Sequence, residues 1–115
     1  MTSNIQLGNL IKLAKEDQWD FWLEDLTGVM FLNGLEEHFN CTAVEGDTDA
    51  QRADFRRKHE TVRTIINSAL SLDIRERMKH YGYDKTKHKG KEIVDFAHRS
   101  VKLITGNMDT LYNSM

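Results

Sequence analysis

The apolar positions of this chain recur mostly at steps of three and four residues, which is the spacing of a helix face. The clearest such stretch runs from residue 16 to residue 39 and holds both tryptophans and three of the five phenylalanines. One stripe along it comprises Trp19, Trp22, Leu26, Val29, Met30 and Asn33. Because tryptophan brings the largest buriable side chain, we expect Trp19 and Trp22 to nucleate the core.

We expect this stretch to become helical at about Gln18, with Asp17 as its N-cap. Gly28 weakens the pattern and indicates a bend or a close helix–helix contact, while Gly34 is a second helix breaker. The pattern over residues 18–39 therefore predicts either one bent helix or two short helices. A short apolar patch precedes this stretch and comprises Leu10, Ile11, Leu13 and Ala14. We expect the patch to be either an extended segment or a helical turn.

Three further helices follow from the same periodicity, over about residues 50–70, 74–80 and 91–104. Polar loops separate them at residues 40–50 and 81–90. Asp47, Thr48 or Asp49 is expected to cap the first of these helices. The segment Ser71-Leu72-Asp73 separates the first helix from the second and supplies the cap of the second. The segment Thr105-Gly106-Asn107 is expected to end the third helix. The predicted inner faces comprise Phe55, Val62, Ile65, Ile66, Ala69, Leu70, Ile74, Met78, Ile93, Phe96, Ala97, Val101 and Ile104.

Composition agrees with one all-α domain, a compact bundle of about five helices. The chain has 115 residues, no proline and a formal net charge of −2. This length suits a single domain spanning residues 1–115, in which residues 1–9 are expected to form a flexible arm. The near-neutral charge argues against strong nonspecific nucleic-acid binding by the whole domain. No signal peptide and no membrane-spanning apolar run is found.

Catalytic chemistry is poorly represented. Cys41 lies three residues after His38, but we expect it beyond the end of the helix, where it cannot form a thiolate–imidazole pair. The acid pairs Glu36–Glu37 and Asp47/Asp49 are better explained as surface and capping residues. The histidines lack the spacing of a metal site and are expected to be surface or partly packed groups: His38, His59, His80, His88 and His98. We therefore expect no enzyme, no catalytic or metal-binding residues, no cofactor and no small-molecule substrate.

Two surface features remain as candidates for binding. The first is a basic cluster in the 85–91 loop, formed by Lys85, Lys87, His88, Lys89 and Lys91 and extended by Arg52, Arg56 and Arg57. A solvated loop is the simpler interpretation, and a patch for RNA or an acidic partner is the alternative.

The second feature is an excess of apolar residues around the first helix, at Phe21, Phe31, Leu32 and Leu35. One helix stripe cannot point these side chains and both tryptophans in the same direction. We expect the helix, or helices, to be covered on two sides within the domain. The alternative is an exposed patch used for self-association.

The order of these features resembles the amino-terminal part of the Gag capsid protein of copia-type (pseudoviral) LTR retrotransposons. Lys12-Leu13 leads to Gln18-Trp19-Asp20-Phe21-Trp22, in which Trp22 matches the tryptophan of the family and Trp19 stands where tyrosine is usual. Leu26, Met30, Leu35 and Phe39 continue the pattern.

The resemblance extends over about residues 10–104. The segment from Val62 to Leu70 is similar to the family's Ala-x-x-x-Ile-x-x-Ser-Leu helix, and Ile74 and Met78 resemble the short helix after it. The segment from Lys89 to Phe96 resembles Thr-Ala-Lys-Glu-x-Trp-Asp-x-Leu, with Val94 in place of tryptophan. The chain would then correspond to the amino-terminal half of the capsid protein alone, without a zinc knuckle.

This resemblance implies a structural protein with a retroviral-capsid-like fold, from an active element or a domesticated relative. Such domains assemble with themselves into virus-like particles in the cytoplasm and package RNA. The RNA is bound mainly by other regions of Gag, with weak direct contact by the domain itself. The other hypothesis is a helical RNA-binding or adaptor module that uses the 85–91 loop. No membrane partner is implied.

Overall fold

The computed structural model of the chain describes Leu7 and residues 10–114, with side chains as far as Lys102. The helices are α1 (Trp19–Leu32), α2 (Glu36–Phe39), α3 (Asp49–Ser68), α4 (Leu72–His80) and α5 (Gly90–Ser114). The prediction of an all-α bundle of about five helices is confirmed. The predicted arm over residues 1–9 lies, apart from Leu7, outside the described residues.

The segment before α1 is extended and pairs with the end of α3. The Leu13 amide donates to the Ala69 carbonyl at 2.8 Å, and the Ser71 amide donates to the Leu13 carbonyl at 3.0 Å. Of the two conformations expected for the apolar patch, the extended one is therefore found. Leu13 is fully buried by this pairing, whereas Ile11 points to solvent.

The start of α1 differs from the prediction. A 3-10 turn over Glu16–Gln18 leads into the helix, and Asp17 does not act as its cap. The Gln18 side-chain oxygen instead accepts from the amides of Ala14 and Lys15, at 2.9 and 3.1 Å. The side chain of Gln18, at the end of the turn, thus makes hydrogen bonds at the start of α1, where the carboxylate of Asp17 was expected to do so.

The end of α1 is set by Gly34 and not by Gly28. Gly34 has a φ of +67°, and its amide donates to the Phe31 carbonyl at 3.1 Å. The Leu35 amide donates to the Met30 carbonyl at 2.8 Å, which completes a Schellman motif. The helix continues through Gly28, and no other element touches it there, because no atom of another element lies within 4 Å of a Cβ built at this position. A mid-helix glycine costs only about 1 kcal/mol, which the buried face of α1 outweighs.

The caps of α3 and α4 follow the sequence closely. Thr48 accepts from the Gln51 amide at 3.0 Å, and the Gln51 side chain in turn accepts from the Thr48 amide at 3.0 Å. Ser71 accepts from the Ile74 amide at 3.3 Å at the start of α4. Of the three residues proposed to cap α3, Thr48 is therefore the one that does so.

The last helix continues beyond its predicted end. Its backbone runs from Gly90 through Thr105-Gly106-Asn107 to Ser114, so the predicted stop is wrong. Glycine and asparagine disfavour a helix only weakly, because they keep the backbone N–H donor. Proline would remove this donor, but the chain contains no proline. The predicted inner-face position Ile104 lies outside the described side chains.

The core lies where α1, α3, α4 and α5 meet. The buried apolar residues are Leu13, Trp22, Leu26, Val29, Met30, Leu35, Phe39, Val62, Ile65, Ile66, Ala69, Leu70, Ile74, Met78, Ile93, Val94, Ala97 and Val101. Trp22 is fully buried, as expected of a core nucleus, whereas Trp19 is only partly buried at the edge. Trp19 stacks on His98 with ring centroids 4.1 Å apart.

Candidate functional site

The outward side of α1 carries large apolar side chains in contact with solvent. Phe21 is 74% exposed, Phe31 68% and Leu32 61%, whereas Leu35 is buried. The expectation that the domain covers this helix on two sides is therefore wrong for three of the four residues. The core uses the opposite side of α1, through Trp22, Leu26, Val29 and Met30.

Helix geometry places these exposed residues on one surface. Phe21 and Leu32 are about three turns apart and point in nearly the same direction, with Phe31 beside Leu32. Gly28 lies between them and leaves open space where other residues would carry a side chain. We call this surface the α1 outer face, and it comprises Phe21, Glu24, Asp25, Gly28, Phe31 and Leu32.

The α1 outer face is also acidic. The sequence has no lysine or arginine between Lys15 and Arg52. Glu24 and Asp25 are exposed. In the described part of the chain, every ion pair is formed within α3 or α4, and none includes Glu24 or Asp25. The α1 outer face therefore presents apolar rings with uncompensated negative charge around them.

The second candidate surface is the loop between α4 and α5. Lys85, Lys87 and Lys89 lie in this loop, and Lys91 follows in the first turn of α5. All four lysines are exposed and form no ion pair within the described residues. We call these four residues the lysine loop.

Internal contacts hold the backbone of the lysine loop. The Asp84 carboxylate accepts from the Thr86 hydroxyl at 2.6 Å and from the Thr86 amide at 2.8 Å. These two hydrogen bonds lower the pKa of Asp84. His88 Nδ1 accepts from the Asp84 amide at 3.0 Å, and its ring packs on Phe96 with centroids 4.7 Å apart. The one acid of the loop is thus engaged locally, and the lysines set its outward charge.

Two of the three arginines proposed to extend this basic patch have local partners. Arg52 pairs with Asp49, and Arg57 pairs with Asp54, each one turn away on α3. Arg56 is exposed. The pairing of Arg52 and Arg57 with acids of their own helix reduces the net positive charge that they add to the patch, so the lysine loop is its main basic part.

Two histidines that are far apart in the sequence, His38 and His59, lie together between α2 and α3. The rings of His38 and His59 have centroids 4.8 Å apart, and Phe55 packs on His59 at 4.3 Å. Both histidines are buried, and neither Nδ1 atom has a hydrogen-bond partner among the described residues. No local signal predicts this pair, because helix packing joins residues that are far apart in sequence.

Burial lowers the pKa of both imidazoles. For His38 the second cause is the nearby Lys58, and for His59 it is His38 itself. An open cleft of about 240 Å³ lies beside His38, lined on its other sides by residues such as Val44, Gln51 and Phe55. No group of three potential metal ligands occurs among the described residues. His38, His59 and Phe55 therefore form a packed aromatic cluster that contains two proton-binding side chains.

The residues considered for catalysis do not assemble into a site. Cys41 lies past the end of α2 with a φ of +61°, and its Sγ contacts the Phe39 carbonyl oxygen at 4.0 Å. Its backbone amide donates to the His38 carbonyl at 3.3 Å, but no hydrogen bond among the described residues joins its thiol to the His38 imidazole. Glu36 and Glu37 occupy the exposed first turn of α2.

The remaining candidates also have local explanations. Asp49 pairs with Arg52, and Asp47 is exposed before the cap of α3. His80 is exposed at the end of α4.

Comparison with known protein families, with curated proteins and with solved structures gives no match. Within the part of the chain that the structure describes, no helix is both long and apolar enough to cross a membrane.

Proposed function

We propose that this chain is a capsid-like assembly domain that binds copies of itself and performs no catalysis. The observation that carries the proposal is the α1 outer face, where Phe21, Phe31 and Leu32 are each more than half exposed. Fully burying one such side chain contributes about 1.5–3 kcal/mol. Apolar side chains grouped on one helix face and rimmed by acids are typical of a protein-interaction surface.

The resemblance to Gag capsid proteins of copia-type retrotransposons extends this proposal. Many weak contacts between identical domains would build a shell, and the shell would enclose the element's RNA as a virus-like particle in the cytoplasm. The net charge of −2 agrees with a domain that leaves most RNA binding to other regions of Gag. The fold that the resemblance implies would be retroviral-capsid-like.

Sedimentation velocity over a concentration series of the full chain tests the proposal. We expect the weight-average mass to rise with concentration, and electron microscopy to show particles at the highest concentrations. The double variant Phe21→Ser/Phe31→Ser should remain monomeric, because it removes the exposed rings and leaves the core untouched. Val44→Ser is the matched control, since Val44 is 88% exposed outside this face.

A strictly monomeric wild-type chain at the highest concentration would refute the assembly role. Association of the double variant with unchanged affinity would show that the α1 outer face does not mediate it. Circular dichroism of all variants checks that they are folded.

The lysine loop favours a second candidate function, an RNA-binding or adaptor module. Its four exposed lysines are held on a locally anchored loop, which suits contacts to phosphates or to acidic side chains. Fluorescence anisotropy with labelled RNA over a salt series tests this candidate. Binding should weaken steeply with salt and be lost in Lys87→Glu/Lys89→Glu. Weak binding with no salt dependence would remove it.

A further inference from the structure

The two exposed surfaces carry opposite charge and have no ion-pairing partner within the described residues. The α1 outer face presents Glu24 and Asp25 around its exposed rings, and the lysine loop presents four exposed lysines. Their complementarity indicates what covers the α1 outer face. We infer that the lysine loop of a second copy of this chain docks on it, head to tail.

A symmetric contact between two α1 outer faces is electrostatically unfavourable. It would bring Glu24 and Asp25 of each copy towards those of the other, with no cation available from α1 or α2. Like charges facing each other across an interface oppose association. A heterologous contact removes this repulsion, because each copy offers one acidic face and one basic loop.

Lysine also suits the apolar part of the surface. Its aliphatic stem covers rings while its ammonium group reaches a carboxylate at the rim. Lys85 and Lys87 flank Thr86, whose hydrogen bonds to Asp84 hold this part of the loop. Gly28 offers an approach between Phe21 and Phe31 that no side chain obstructs. In this contact the aliphatic stems of the lysines cover the exposed rings of α1, and their ammonium groups pair with its carboxylates.

A head-to-tail contact leaves one face and one loop unused at the two ends of each complex. Further copies add until the rotation between neighbours closes a ring or a shell. This inference rests on the proposed self-association and adds its partner surface and its symmetry. It also predicts that association weakens as salt is raised, because the charges involved are exposed.

Two variants of the full chain, each defective on one side, test the inference. The loop variant is Lys85→Gln/Lys87→Gln/Lys89→Gln, and the face variant is Phe21→Ser/Phe31→Ser. Alone, each should associate more weakly than wild type by about tenfold or more. Mixed, they should form a 1:1 complex that grows no further, because the intact face of one binds the intact loop of the other.

The charge-matched control is Lys12→Gln/Lys79→Gln/Lys102→Gln, which changes the net charge equally at other exposed positions. It should associate within about twofold of wild type. Sedimentation velocity gives the mass of each sample and of the mixture, and circular dichroism checks folding.

Distinct outcomes overturn the inference. If the loop variant associates as tightly as wild type and only the face variant loses association, the partner surface lies elsewhere on the chain. The same result together with loss of RNA binding would assign the loop to RNA. Failure of the mixture to form the 1:1 complex would exclude the head-to-tail contact. Only a wild-type chain that never associates would refute the proposed function itself.

Discussion

The indole N–H of Trp22 donates to the backbone carbonyl of Ala69 at 2.9 Å. The same oxygen accepts the amide of Leu13 at 2.8 Å. Ala69 is the C-cap of α3, so its carbonyl has no partner within its own helix. One atom therefore ties α1, the extended amino-terminal segment and the end of α3 together inside the core.

Shortening Trp22 should cost much of the stability of the domain. Trp22→Ala removes a fully buried side chain, and we expect a loss of about 3–5 kcal/mol in the free energy of unfolding. Trp22→Phe keeps most of the ring but removes the donor, and should cost about 1–3 kcal/mol. Urea unfolding followed by circular dichroism measures both. Trp19→Ala is the comparison, and its smaller expected loss reflects partial burial.

The His38–His59 pair should make stability depend on pH. Burial lowers the pKa of both groups, so the unfolded chain binds more protons than the folded chain at mildly acidic pH. The free energy of unfolding should be highest above about pH 6.5 and fall as pH drops through the lowered folded values. Urea unfolding at a series of pH values measures this fall.

The charged groups facing this pair act in both directions, and a variant isolates its contribution. Lys58 lowers and Asp54 raises the pKa of His38, while Lys89 and Arg63 lower that of His59. His59→Leu should flatten the pH dependence, because it removes one proton-binding group and the repulsion between two imidazolium rings. His80→Gln, at an exposed site, should retain it. An equal fall in both variants would assign the dependence to other groups.

Two glycine substitutions should have opposite effects. Gly90 begins α5 with a φ of +33°, and an added Cβ would overlap the carbonyl oxygen of Phe39. We therefore expect Gly90→Ala to destabilise the domain by about 1–3 kcal/mol. Gly28→Ala should instead stabilise it by about 0.5–1 kcal/mol, because the site is helical and open. Thermal unfolding of both variants at low protein concentration tests the contrast, which similar shifts in one direction would contradict.

The cap of α3 should contribute measurably to stability. Thr48→Ala removes the acceptor of the Gln51 amide and should cost about 1 kcal/mol. Thr64→Ala, an exposed substitution inside the same helix, should change stability by less than about 0.5 kcal/mol. Urea unfolding of the two variants gives the difference, and equal values would show that the hydrogen bond of the cap contributes nothing net.

Helix positions were largely predictable because they depend on local pattern. The three- and four-residue spacing located α1, α3, α4 and the start of α5, and threonine and serine marked two caps. The exceptions are Asp17, Gly28 and the Thr105-Gly106-Asn107 segment, and they share a physical reason. Weak local preferences of about 1 kcal/mol yield to neighbouring side chains and to continued helical hydrogen bonding.

The amino-acid sequence by itself determined the all-α class, most helix bounds, the core role of Trp22 and the separation of an acidic first part from a basic loop. Only the tertiary structure decided which apolar residues of α1 remain outside. A helix with apolar residues all around can be covered on either side, and the choice depends on where α3, α4 and α5 pack. That packing buries Trp22 and Met30, brings His38 to His59, and leaves Phe21, Phe31 and Leu32 exposed to solvent.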